Sequence, residues 1–154
     1  ETSFLASRRS LGASDDFDRF QQLLTGWVPL QPRLTLGARG NYAWSSSGTP
    51  FFLRPFIVLR GVPAVRFQGE QAASAEAELR WQFFDRWSVL AFGGAGATRT
   101  PRRDDELRQD VGSGGLGVRY ELARRFGLHA GIDVAHSPGT TAIYFVVGNA
   151  WFRP

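Results

Sequence analysis

Cysteine is absent from the 154 residues, which excludes disulfide staples, thiolate metal sites and cysteine nucleophiles. That absence is compatible with an oxidising compartment and says nothing more about location. Histidine is limited to His129 and His136, too few for an imidazole-rich metal cluster. Methionine is missing and so is lysine, so all 18 basic residues are arginine. No run of 18 apolar residues is present, so no transmembrane helix is expected. The first 25 residues lack the basic, apolar and small-residue order of a signal peptide. With no initiator methionine, the chain reads as a mature or excised segment whose cleaved signal would lie upstream.

What the chain has is glycine, 18 residues of it, aromatics at 14%, and a hydrophobic share of 43% against 21% charged. These are the proportions of one ordered domain. A net charge of +4 and a pI near 10.6 would ordinarily raise nucleic acid as a partner. The arginines are scattered, however, several beside Asp or Glu, and no basic run exceeds two residues. No nucleic-acid partner is expected.

Helical periodicity is scarce, whereas period-two alternation recurs along the chain. From Ala73 to Phe84, Ala75, Ala77, Leu79, Trp81 and Phe83 share one face, and Glu76, Glu78, Arg80 and Gln82 the other. Arg33 to Trp44 repeats this, with Leu34, Leu36, Tyr42 and Trp44 opposite Arg33, Thr35, Arg39 and Asn41. Gly112 to Leu122 and Gly127 to His136 follow suit, the latter setting Ile132 and Val134 against His129 and Asp133. Trp87 to Ala97, Thr141 to Phe152, Phe17 to Leu30 and a stub at Thr2 to Arg8 bring the total to about eight strands. Gln31-Pro32, Asp85-Arg86 and Ala123 to Phe126 read as tight turns, and 9–16, 45–72, 99–111 and 137–140 as longer loops. Short turns at one end and longer loops at the other predict an all-β, antiparallel up-and-down barrel, and strands of this length suit a bilayer crossing. A transmembrane barrel needs its apolar face outward, whereas a narrow soluble lumen could enclose the same Leu and Trp faces. The expectation is the transmembrane barrel of about eight strands, with the soluble barrel as the alternative.

The segment Phe51 to Gly61 is too apolar for a solvated hairpin tip. One reading folds the loop 45–72 into the lumen, with Arg60 against Glu76 or Glu78, since a buried guanidinium requires such partners. The other leaves it as an external hairpin packed on itself; the lumenal reading is the expectation. Catalytic readings fare poorly. His129, Asp133 and Ser113 come with no Gly-x-Ser-x-Gly elbow, and the run Gly112-Ser113-Gly114-Gly115-Leu116-Gly117 opens no helix, as a phosphate loop would. Glu70, Glu76 and Glu78 sit beside Arg80, which favours an ion network over a glycosidase pair. Asp104-Asp105-Glu106 reads as a solvated loop rather than a cation site. No catalytic, metal or cofactor-binding residues are expected.

Leu59-Arg60-Gly61, then Arg66-Phe67-Gln68-Gly69-Glu70, then Ala77-Glu78-Leu79-Arg80-Trp81 resemble the BamA/TamA superfamily of outer-membrane barrels, also called bacterial surface antigens. In that family an Arg-Gly loop tip folds into the barrel, followed by a strand with Glu-x-Arg and a strand with Phe-x-Asp-x-Gly. Here the last element reads Phe92-Gly93-Gly94-Ala95-Gly96, with Gly94 in place of Asp. The resemblance extends over roughly residues 33–152, the final strands being Gly115 to Tyr120, Leu128 to Ala135 and Ile143 to Phe152. It implies Arg60-Gly61 as the loop motif, Glu78 with Arg80 as its strand, Phe92, Gly94, Gly96 and Asp133 as barrel motif, and Tyr144, Trp151 and Phe152 as a C-terminal strand signal. With the Asp replaced at Gly94, Arg60 would be held by Glu78 alone.

Family barrels have sixteen strands and are preceded by periplasmic POTRA repeats, neither of which this sequence supplies. The expectation is therefore the C-terminal half of such a barrel: a fragment, a half that closes alone, or one of two copies that join. An eight-stranded barrel would leave little room for a folded-in loop. The function implied is a non-enzymatic role in outer-membrane protein insertion or translocation, with outer-membrane lipid, and either itself or other outer-membrane proteins, as partners. A small structural or adhesin-like barrel and a narrow pore are the alternatives. Arg39, Glu76, Glu78, Arg80, Arg119, Glu121 and Asp133 could pair into a plug, against the open pore.

Overall fold

A computed structural model describes residues 1–11, 16–101, 106–123 and 128–148. Its strands are β1 (Thr2–Ser7), β2 (Phe17–Gln31), β3 (Leu34–Ser45), β4 (Gln71–Gln82), β5 (Trp87–Pro101), β6 (Glu106–Ala123), β7 (Leu128–Ser137) and β8 (Thr140–Val147). They form one antiparallel sheet in strict chain order, so the fold is all-β and up-and-down, as the alternation predicts. Among the described residues the sheet is not closed, and β1 and β8 are its two edges.

Two connections differ from expectation. Residues 99–111 read as a loop, yet Arg99, Thr100 and Pro101 pair with Arg108, Leu107 and Glu106, so the β5–β6 hairpin runs on past its apolar stretch. Ladder bonds use only the backbone, and solvated polar side chains do not oppose them. Likewise 137–140 reduces to a two-residue turn at Pro138 and Gly139, with Gly139 at φ 77°.

The two faces of the sheet are reversed from those of a water-soluble protein, in which charges stay outside and apolar side chains within. Facing one side and buried are Asn41, Ser74, Glu76, Glu78, Ser88, Phe92, Thr98, Arg119, Asp133 and Ser137. Facing the other are Leu36, Tyr42, Leu79, Trp81, Leu116, Val118, Ile132, Val134, Ile143, Phe145 and Val147, with Leu116 68% and Phe145 84% exposed. Each such side chain left in water forgoes about 1.5–3 kcal/mol of burial.

The long connection between β3 and β4 covers the charged face. Its Ile57, Leu59 and Val62 pack with Val111 of β6. Its Arg60 reaches β4 and β7, and the neighbouring Gly61 reaches β8. In a flat sheet β4 and β8 would lie four strand spacings apart, roughly 19 Å. Two adjacent residues touch both, so the sheet curls around the loop tip.

The β4–β5 register can be tested without background, because the chain has no cysteine of its own. Ala75 pairs with Ala95. Ala75→Cys with Ala95→Cys should lose its free thiols on mild oxidation, whereas Ala75→Cys with Ala97→Cys, a diagonal pair about 7–8 Å apart, should keep them. The opposite pattern by thiol titration would overturn the register.

Candidate functional site

The loop between Ser45 and Gln71 builds its own scaffold before it enters the inner face. Phe56 and Gln68 form an antiparallel bridge, Ile57 N–H donates to the Phe67 carbonyl at 3.1 Å, and Gly69 N–H donates to that of Pro55 at 3.0 Å. At the tip, Val62 N–H donates to the Leu59 carbonyl, which puts Arg60 and Gly61 at the centre of a tight turn. Gly61 has φ 85°, the left-handed value a type II turn requires at its third position. A Cβ there would also come within 3.0 Å of the Ala135 Cβ. The Arg-Gly pair is therefore a turn whose glycine lies against β7 and whose arginine is thrust forward.

Arg60 is 7% exposed and meets three carboxylates. Its Nε donates to Glu76 Oε1 at 2.9 Å, its Nη2 lies 2.8 Å from the same oxygen, and its backbone N–H donates to Glu76 Oε2 at 3.2 Å. Its Nη1 lies 2.8 Å from Glu78 Oε2 and donates to Asp133 Oδ2 at 3.3 Å. The guanidinium carbon stands 3.5 Å from the centre of the Phe92 ring, a cation–π contact worth about 2 kcal/mol when desolvated. Burial alone would lower the Arg60 pKa; attraction to Glu76 and then Glu78 outweighs it and holds the group above its ordinary value.

Arg119 and Asp133, both fully buried, complete the cluster as a fork-to-fork pair with contacts of 2.6 and 2.8 Å. The register makes room for them: Asp133 lies opposite Gly117 and Arg119 opposite Gly131, so each long side chain crosses a glycine on the neighbouring strand. A Cβ at Gly131 would come within 2.7 Å of the Arg119 side chain, and one at Gly117 would strike the Asp133 carboxylate. Arg80 adds a contact to Glu78 at 3.1 Å. Among the described contacts, Arg60, Arg80 and Arg119 thus face Glu76, Glu78 and Asp133, with Arg39 opposite Glu76 in the register. Such burial is tolerable only when each charge is compensated.

Gly94 and Gly96 are the seats of the loop. A Cβ on Gly94 would come within 2.6 Å of the Ala75 carbonyl oxygen and 2.8 Å of a Leu59 methyl, and one on Gly96 within 2.6 Å of Ile57. The expectation that Gly94 leaves Arg60 to Glu78 alone is corrected here: Glu76 makes more contacts to Arg60 than Glu78 does, and Asp133 supplies a third carboxylate from β7. The empty position at 94 is filled by Leu59. This is also how a long loop fits an inner face expected to be too narrow for it.

Tyr144, expected as part of a C-terminal strand signal, points inward from β8, where its hydroxyl accepts the Gly61 N–H at 2.9 Å. Ser137 Oγ donates to the Gly61 carbonyl at 2.7 Å. Trp151, Phe152, Asp104 and Asp105 lie outside the described residues, and Glu106 pairs with Arg99 at an exposed position. Among the described residues, no group of three His, Asp or Glu is placed to hold a metal ion. Both Asp133 oxygens are engaged by arginine, Oδ1 by Arg119 and Oδ2 by Arg119 and Arg60. Neither a scan against protein-family models nor a search of curated proteins found a match for this chain.

Arg60→Ala, which removes the guanidinium shared by Glu76, Glu78 and Asp133, should cost about 3–5 kcal/mol and lower the heat-induced mobility transition on a semi-native gel. Arg60→Lys, which keeps the charge and loses the fork, should fall between, and Glu76→Gln should cost more than Glu78→Gln. An unchanged transition in Arg60→Ala would contradict the cluster's role. Independently, Gly94→Val should drive Leu59 off its seat and open the Arg60–Gly61 bond to trypsin, whereas the native chain, with Arg60 buried, should resist cleavage there. Equal cleavage in both would refute the seat.

Proposed function

We propose that this chain is an outer-membrane β-sheet protein of the BamA/TamA type, set in lipid by its outward face and acting without covalent chemistry in the insertion or translocation of other outer-membrane proteins. The observation that carries the lipid reading is the reversal of faces: leucine, isoleucine and phenylalanine exposed, arginine and carboxylates enclosed. In a hydrocarbon solvent that arrangement is favourable on both sides. A charge turned outward would cost about 2–4 kcal/mol at the midplane, and the apolar side chains would no longer face water.

The role in assembly is supported by the loop and the edge it touches. Among the described residues β8 pairs only with β7, which leaves the other side of its ladder for an incoming extended segment to join by backbone hydrogen bonds. Tyr144 on that same strand holds the Gly61 N–H, so the tip anchored by Arg60 also braces the strand where addition would occur. In this mechanism Arg60 and its carboxylates keep the tip seated, and the tip steadies the edge while a substrate strand adds and leaves. The enclosed, charge-balanced cluster favours this role over a narrow open pore.

Protein reconstituted in vesicles should speed the folding of an unfolded outer-membrane barrel several-fold over empty vesicles, followed by the heat-modifiable band of the substrate. Arg60→Ala should lose most of that acceleration. Equal rates with empty and loaded vesicles would remove the assembly role, and stepwise single-channel currents in a planar bilayer would favour the pore instead.

A further inference from the structure

The outward face carries a groove of about 970 Å³ across β4 to β7, floored by Ala91 and Ala130 and walled by Leu79, Leu116, Ile132 and Trp87. At the short-turn end it meets a second hollow of about 480 Å³ that shares Trp87 and Tyr120 with it and is lined by Arg33 and Arg86. The two arginines come from neighbouring hairpins. Arg33 closes the β2–β3 turn, where its carbonyl accepts the Gln82 N–H at 2.8 Å. Arg86 ends the β4–β5 turn, with Nη1 3.4 Å from the Tyr120 hydroxyl. Among the described residues Asp85 is the one acid lining that hollow, and Glu121 attracts Arg86 from an adjoining hollow that both arginines also line. Trp81 and Phe84, 53% and 65% exposed, flank its mouth.

An apolar trough that ends at two cations and an aromatic rim matches one kind of molecule, an acyl chain joined to an anionic head. We infer that this face binds an anionic glycerophospholipid, with a chain along the β4–β7 groove and the phosphate between Arg33 and Arg86. The inference rests on the lipid-embedded reading above and adds a preference among lipids. Two arginines lining one hollow favour it over a zwitterionic head, whose own cation would be repelled. The groove alone would take any chain, so the selectivity lies in the arginines.

The test uses the whole chain in detergent micelles, with phosphatidylglycerol and phosphatidylcholine of identical chains offered together and bound lipid counted by native mass spectrometry. Phosphatidylglycerol should be retained at least fivefold over phosphatidylcholine. Arg33→Gln with Arg86→Gln should abolish the preference, while Arg108→Gln at the opposite end of β6 should keep it. Millimolar inorganic phosphate should not displace the lipid; if it does, the site is an ion site only and the inference falls. Equal retention of the two lipids, or a preference that survives the double substitution, would overturn it as well. Insertion into phosphatidylcholine vesicles is measured alongside. Insertion without preference refutes this inference and leaves the lipid-embedded reading standing, and no insertion into any bilayer refutes both.

Discussion

The enclosure of Arg60 by three carboxylates is the constraint on which the rest of the arrangement depends. A guanidinium withdrawn from water needs its charge and its donors satisfied within a few ångströms, and no single strand can supply that. Glu76 and Glu78 come from β4, the Phe92 ring from β5 and Asp133 from β7. Drawing them to one point curls the sheet, because strands that would stand far apart on a flat surface must all face the same side chain. Arg119 then balances Asp133, which would otherwise leave the cluster with surplus negative charge.

Glycine lets so many long side chains share that interior. Gly117 and Gly131 leave the space that Asp133 and Arg119 cross, and Gly94 and Gly96 leave the seats for Leu59 and Ile57. Space on the inner face is thus provided by what the strands omit, and the loop fills it from within. Gly61 serves the same end differently, turning the chain sharply enough for Arg60 to project and for its own backbone to meet Tyr144 and Ser137. The apolar face has no such demands, and its side chains stand outward unopposed.

Much of the fold was legible because period two is a local signal. The strand from Ala73 to Phe84 announces both its faces in a dozen residues, and its observed span, Gln71–Gln82, differs only at the ends. The hairpin extension at Arg99 to Pro101 and Glu106 to Val111 was not legible, since polar side chains there resemble a loop while the backbone pairs regardless. The site was half legible. That a buried Arg60 needs Glu76 or Glu78 follows from chemistry and nearness in sequence. The Asp133 contact joins residues 73 apart, and it depends on a curl that no local pattern encodes. A signal for the second ion pair was present, in Gly117-Val118-Arg119 facing Gly131-Ile132-Asp133, but it becomes meaningful only once the β6–β7 register is known. Tyr144 was noticed as part of a C-terminal strand signal, and the contact of its hydroxyl with the loop tip had no local sign.

The proposed role follows from these parts taken together, with an outward face suited to lipid, an interior sealed by balanced charge, and an edge strand braced by the loop that the charge holds. The claim beneath all of it is that the apolar face meets hydrocarbon. A spin-label scan of single cysteines along β6 in lipid vesicles tests it most directly, with collision rates measured for oxygen, which partitions into lipid, and for a water-soluble nickel chelate. Labels at Leu116 and Val118 should collide often with oxygen and seldom with nickel, and labels at Val111 and Ser113 should not share that lipid signature. Nickel access at Leu116 and Val118 equal to that of a label in the exposed Arg108–Asp110 stretch would contradict the claim.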